Sequence, residues 1–261
     1  MKTLKIAVLT AALIAPIAGT ATATAATYPV KDEKLTANPL YAAGALPKAE
    51  CAEHKMRRGD RLNQARKYLD GVIGCLEKTW QQHLAGAGLT YKKVKVEHVK
   101  KFPKKWCEFE TGKIDSQGYY CAETGTIAFQ VGKTWLDDAS DLWMFHFAGY
   151  MYGHHVQSLV GIERAYQDAP YRNKSELNEQ IRRRSLQAEC LSGAFTKSVW
   201  PMKGRTAKDW KKLLSVQEGD ARGEVRELGT TSNIRHWIKQ GYATGDPKSC
   251  NTWAAPSAKV A

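Results

Sequence analysis

Beyond its first 26 residues the chain has no apolar run of the roughly 20 residues needed to cross a bilayer. No transmembrane segment is therefore expected in the mature chain. It also has no C-x-x-C pair, the spacing from which thiolate zinc sites are usually built. Its six cysteines are read as disulfide partners instead. Acidic residues are in deficit: 26 Asp and Glu stand against 39 Lys and Arg, a formal charge of +13. Such a chain adheres generically to wall polymers, lipid head groups or nucleic acid. Aromatics spaced for base stacking are sparse in its most lysine-rich stretch, 91–106, which argues against a specific nucleic-acid partner.

What is present begins with an export signal. Lys2 and Lys5 precede an apolar run from Ile6 to Ile17, interrupted by Pro16, and small residues follow from Ala21 to Ala26. Residues 1–26 read as a cleavable signal peptide, with an uncleaved anchor as the alternative. The mature protein is expected to be secreted, with about 235 residues around one core and a charge of +11 once Lys2 and Lys5 are removed. In an oxidising compartment Cys51, Cys75, Cys107, Cys121, Cys190 and Cys250 should pair. Fifteen connectivities are open; the favoured one joins Cys51 to Cys75, Cys107 to Cys121 and Cys190 to Cys250.

Residues 27–47 are rich in Ala, Pro, Thr and Lys and show no hydrophobic period. They are expected to form a flexible leader before a domain at 48–261. Leu62, Ala65, Tyr68, Leu69, Val72, Leu76, Trp80 and His83 recur at helical steps, which predicts a helix over 60–84. His83 is assigned a packing or capping role. Val94, Val96 and His98 alternate with charge, which predicts a half-buried strand. The lysines around it are read as edge protection, the other reading being a polyanion docking patch. A hairpin is predicted over 119–130, turning at Glu123-Thr124-Gly125. Further helices are predicted over 138–160 with Asp138 or Ser140 as cap, and over 176–200, 207–216 and 232–240.

The centre of the chain is Phe145–Ile162. His146, Tyr150 and His154 recur every four residues and share a helix face. His146 and His154 lie two turns apart, about 12 Å, too far for both to hold one zinc at ~2.1 Å. Tyr150-Met151-Tyr152-Gly153-His154 has the frame of an HExxH helix, in which two histidines hold zinc and the glutamate activates its water. Only the second histidine is present.

Gly153-His154-His155-Val156-Gln157, with Leu159 and Gly161, resembles the motif H-E-x-G-H-H-V-Q-x-L-x-G of the neutral zinc metallopeptidases of bacteria. Ser185-Leu186-Gln187-Ala188-Glu189-Cys190 resembles that family's E-L-Q-A-D-C, and Cys250-Asn251-Thr252-Trp253-Ala254-Ala255-Pro256 its ending. The likeness covers most of the chain after about Lys48. It implies an α+β, zincin-like fold that is mostly helical and stabilised by disulfides. A small antiparallel sheet would pack beside the motif helix, with an edge strand able to take a substrate backbone by strand addition.

Matched position by position, Tyr150 replaces the first histidine, Met151 the glutamate base and Ser185 the third ligand. Glu189 replaces an aspartate and is expected to hydrogen-bond His154, while His155 is structural. Leu228 of Leu228-Gly229-Thr230 stands where the family often has a histidine suited to an oxyanion. No catalytic residue and no metal are then expected, with His154 the ligand if any metal binds. The remnant site is His154, Glu189 and Tyr150. The expected protein is an inactive peptidase homologue that binds a peptide, a wall polymer or a protein partner through the remnant cleft. The alternative is an active secreted zinc metalloendopeptidase with a non-standard metal site and zinc as cofactor. A third reading, other chemistry in the same cleft, lacks a recognisable pair of nucleophile and base.

Overall fold

Helices with apolar stripes at three- and four-residue steps supply the scaffold. In the computed structural model, which describes residues 30–53, 61–107, 109–137, 141–221, 223 and 225–261, they are α2 (Arg61–Gly86), α4 (Asp141–Leu159), α6 (Lys174–Val199) and α8 (Thr231–Thr244). The expected signal peptide at 1–26 and the candidate caps Asp138 and Ser140 lie outside the described residues. α2 buries Tyr68, Leu69, Val72, Leu76 and Trp80, the face its periodicity predicts. His83 packs edge-on to Trp80 at 5.6 Å, and burial lowers its pKa. α4 is apolar nearly all round because α2, α6 and the sheet each cover part of it. The side chain of Asn173 accepts from the Glu176 amide and starts α6, and a Thr206–Asp209 capping box starts α7 (Ala207–Ser215). Shorter helices are α1 (Glu33–Thr36), α3 (Lys133–Asp137) and α5 (Ile162–Asp168).

The sheet is mixed, which corrects the antiparallel expectation. β4 (Gln117–Cys121) and β5 (Thr126–Gln130) form the predicted hairpin, with Tyr120 opposite Ile127. Gly125 takes a positive φ of 65° in its turn, where a side chain would be strained. β1 (Lys95–His98) joins the other side of β5 in parallel, with Val96 opposite Ile127, so the order is β1-β5-β4. A parallel partner needs a long connection, and residues 99–125, which include β4, supply it; the part before β4 is residues 99–116. That connection carries its own two-residue ladder, β2 (Lys105–Trp106) against β3 (Phe109–Glu110).

The flexible leader is also corrected. From residue 30 on, this segment is packed. Leu35 and Leu40 are fully buried, and Tyr41 and Leu46 nearly so. Asp32 caps α1, and Asn38 caps a 3-10 turn over Pro39–Ala42. The Asn38 side chain also donates to the Val160 carbonyl at 3.1 Å. Short turns present apolar residues without a helical or strand period, so the pattern was invisible in sequence.

Three disulfides use all six cysteines: Cys51–Cys75, Cys107–Cys121 and Cys190–Cys250. The last ties the middle of α6 to the C-terminal segment across 60 residues of chain. Among the described residues no helix is long and apolar enough to cross a membrane.

Candidate metal centre

α4 and α6 pack antiparallel with little between their backbones. A Cβ at Gly153 would lie 2.9 Å from Ala188 Cα, and one at Gly149 would lie 2.4 Å from Ser192 Oγ. Glycine at both positions lets the helices approach, and the approach brings the family motifs together.

Three positions that the resemblance assigns to metal ligands converge there. The Tyr150 and His154 rings meet edge to face with centroids 4.9 Å apart. The Tyr150 hydroxyl lies 2.9 Å from Ser185 Oγ. Met151, at the position of the base, is 5% exposed and belongs to the hydrophobic core. His154 and Ser185 are buried, while Tyr150, Arg184 and Glu189 are partly exposed.

His154 is held in one orientation. Gln157 Nε2 donates to the Arg184 carbonyl at 2.8 Å and to Gln187 Oε1 at 2.9 Å, which leaves Gln157 Oε1 to accept from His154 Nδ1 at 2.8 Å. The proton therefore sits on Nδ1, and Nε2 keeps its lone pair. Burial, and then the Arg184 cation, push the His154 pKa well below its usual value. This is how a zinc-ligating histidine is normally set up, with a neutral ring and a partner that fixes the tautomer.

The other positions do not fit zinc. Burial, reinforced by the Glu189 charge, pushes the Tyr150 phenol up to about 12, so it stays protonated near neutral pH and is a poor ligand. Ser185 offers a hydroxyl. The Arg184 guanidinium, bound to Glu163 Oε2 at 2.5 Å, acts electrostatically on both Tyr150 and His154 and opposes a second cation. Among the described residues the one cluster of three His, Cys, Asp or Glu donors is Cys107, Cys121 and Glu123. Its sulfurs are joined in a disulfide and offer no thiolate.

Glu189 does not meet His154, contrary to expectation. Its Oε2 lies 2.6 Å from His146 Nε2, and Ser192 Oγ lies 2.9 Å from His146 Nδ1. The antiparallel crossing explains this. Tyr150 faces Ser185, so one turn forward on α6, Glu189, faces one turn back on α4, His146. The sequence held that signal, since 185 to 189 and 150 to 146 are equal steps in opposite senses. His155, assigned a structural role, bonds the Tyr120 hydroxyl at 3.1 Å and the Lys92 carbonyl at 2.7 Å. Leu228 is 45% exposed, and a Cβ on neighbouring Gly229 would lie 3.3 Å from the Leu186 side chain, beside Ser185.

Sequence reasoning did not foresee the polar chain that joins the three motif blocks. Gln157 binds Gln187. Gln187 Oε1 also accepts from Trp253 Nε1 at 3.1 Å, and Gln187 Nε2 donates to the Tyr41 hydroxyl at 2.7 Å. The glutamines of the first two blocks and the tryptophan of the third are thus one buried network with every member partnered, an arrangement that fixes a single packing.

The sequence profile of the family described as "Putative neutral zinc metallopeptidase" matches residues 21–253. The Escherichia coli protein named "Uncharacterized protein YpfJ" is 27% identical over 209 residues, 73% of this chain and 72% of that one. Two mycobacterial proteins, "Uncharacterized protein Mb2605" of Mycobacterium bovis and "Uncharacterized protein Rv2575" of Mycobacterium tuberculosis, are each 29% identical over 133 residues. Those matches cover 42% of this chain and 44% of each relative. No solved structure matches.

Proposed function

This chain belongs to the neutral zinc metallopeptidase family, and on that premise we propose that it is a secreted, catalytically inactive member that acts by binding. One observation carries the reading. The positions of both motif-helix ligands and of the third ligand meet in space, and only one of them, His154, holds a metal-ligating side chain. A catalytic zinc wants three protein ligands and an open position, and the hydrolytic step wants a base. Here the base position is a buried methionine. On this reading the zincin-like scaffold persists without its reaction, and the signal at 1–26 exports it.

The surroundings favour an extended peptide over a wall polymer or a folded protein partner. Among the described residues β4 is an edge strand with no strand partner on its outer side, and it lies beside α4. On this reading that outer edge takes a further strand. Trp143, Phe147 and Tyr150, all partly exposed, form a row along α4. Trp143 stacks on Phe147 at 5.2 Å, and Phe147 lies 6.2 Å from Tyr150. That row suits an apolar side chain. The alternative, an active zinc endopeptidase, draws support from the ligand-ready tautomer of His154.

Restoring the ligands tests the assignment. Tyr150→His with Ser185→Glu completes three ligands around His154, and Met151→Glu adds the base. The double and triple variants are expected to retain about one zinc per folded chain after gel filtration, and the triple variant to acquire casein hydrolysis. Neither ligand substitution alone should retain zinc. A double variant with an unchanged melting temperature and no zinc would show that 150, 154 and 185 are not the metal positions.

A further inference from the structure

We propose that a lysine-lined pocket formed by the β1–β4 connection and the start of α3, separate from the His154 site, binds an acidic carbohydrate polymer, a chain of sugar units bearing carboxylate or phosphate groups. The proposal does not rest on the inactivity of the peptidase site and stands or falls independently of it.

The pocket has a volume of about 1160 Å³, above the roughly 300–1,000 Å³ of small-ligand sites and large enough for several sugar units. Lys100, Lys101, Lys104, Lys105, Lys113 and Lys133 line it, against the carboxylates of Glu110 and Asp115. Six cations against two anions give a net of +4 on one concave surface. Protection of the β1 edge does not account for these lysines, because β1 ends at His98 and all six follow it. Nor are most of them neutralised. Among the described residues Lys100, Lys101, Lys104 and Lys113 make no ion pair, and Lys133 reaches Asp137 only at 3.8 Å. Asp115 is directed elsewhere, accepting from the Thr134 amide at 3.0 Å and the Thr134 hydroxyl at 2.5 Å.

The walls are built rather than loose. Gln130, 6% exposed, accepts from the Phe102 amide at 2.8 Å and donates to the carbonyls of Ile114 and Asp115 at 3.1 and 2.9 Å. Gln117, equally buried, donates to Gln130 Oε1 and to the Gly112 carbonyl. The Thr111 amide donates to the Lys104 carbonyl at 3.0 Å. The Cys107–Cys121 disulfide anchors the same connection to β4. Two buried glutamines thus hold three segments in register and present the lysines without further ordering, which lowers the entropy cost of binding.

The occupant's class follows from the rest of the surface. A concave pocket does not match a flat bilayer. The neighbouring rings of Phe102, Trp106, Phe109 and Tyr119 pack on one another at 5.1 to 6.4 Å, and the one of them that lines the pocket, Phe102, is 5% exposed, so the pocket itself offers no bare platform for bases. Ile114, 63% exposed, and Pro103 give apolar patches among the charges, matching the C–H faces of sugar rings. The three disulfides point to an oxidising compartment, one in which a polymer of acidic sugars is accessible to the pocket.

The test is binding of a galacturonate oligomer to the protein, with its methyl ester as the uncharged control. We expect binding of the acid form only, lost at 1 M salt, where the screening length is about 3 Å. Lys101→Glu/Lys104→Glu/Lys113→Glu should weaken it by at least about tenfold. Lys78→Glu/Lys208→Glu/Lys211→Glu, the same charge change at exposed sites elsewhere, should weaken it less than about threefold. All six lysines are exposed, so both variants should melt like the unaltered protein. Equal weakening by the two triple variants would reduce the effect to net charge and overturn the site. Absence of binding, equal binding of the ester, or tighter binding of a single-stranded oligonucleotide or of phosphatidylglycerol vesicles would also overturn it.

Discussion

Removal of residues 30–47 is expected to abolish cooperative folding. Leu35 and Leu40 are fully buried, and burying one leucine is worth about 1.5–3 kcal/mol. The two together, about 3–6 kcal/mol, reach the lower end of a typical domain's stability of about 5–15 kcal/mol, before Tyr41 and Leu46 are counted. Tyr41 adds a polar tie, since its hydroxyl donates to the Leu35 carbonyl at 3.0 Å and accepts from Gln187. Burial lifts that phenol far above its usual pKa, so it stays a neutral donor. Where the truncation yields only aggregate, Leu40→Ala gives the graded measurement, with an expected loss of about 2–5 kcal/mol in urea unfolding. A truncated chain that melts at the temperature of the intact one would contradict the packing described.

Arg183→Leu should cost about 3–5 kcal/mol. Arg183 is 1% exposed. Its Nε and Nη2 reach Glu179 Oε1 at 3.1 and 2.6 Å, and its Nη1 donates to the carbonyls of Thr252 and, at 2.8 Å, Ala255. Glu179, also buried, accepts from the Ser257 hydroxyl at 2.9 Å. Deleting the guanidinium strands a buried carboxylate and two or more carbonyls of the C-terminal segment. Unsatisfied groups of that kind carry the full desolvation penalty. Arg183→Lys keeps the charge and loses the fork, so its loss should be smaller but clear. A loss under about 1 kcal/mol for the leucine variant would show that the C-terminal segment does not depend on this contact.

The helices were legible because their apolar faces repeat. The predicted spans 60–84, 176–200 and 207–216 lie within two residues of α2, α6 and α7 at each end, while the span 232–240 falls four residues short of the end of α8. What escaped the sequence was what depends on how elements meet. The parallel pairing of β1 with β5 needs knowledge of the path taken by 99–125. The partnership of Glu189 with His146 needs the antiparallel sense of α4 and α6. Buried Leu35 and Leu40 sit in single-turn and 3-10 geometry, which leaves no period to read. The lysines beyond His98 looked like part of a strand's solvent face until the strand proved to end there. The motif blocks themselves were visible, but their joining through Gln157, Gln187 and Trp253 was not.

The central claim is that one imidazole remains where a catalytic zinc would need three ligands. The most direct measurement is metal content of the unmodified protein after dialysis against a chelator and then against zinc-free buffer, read by elemental analysis per folded chain. Well under one zinc per chain is expected, with no difference between the protein and His154→Ala. About one zinc per chain, lost in His154→Ala while the fold is kept, would contradict the claim and make this protein a metal-binding member of its family.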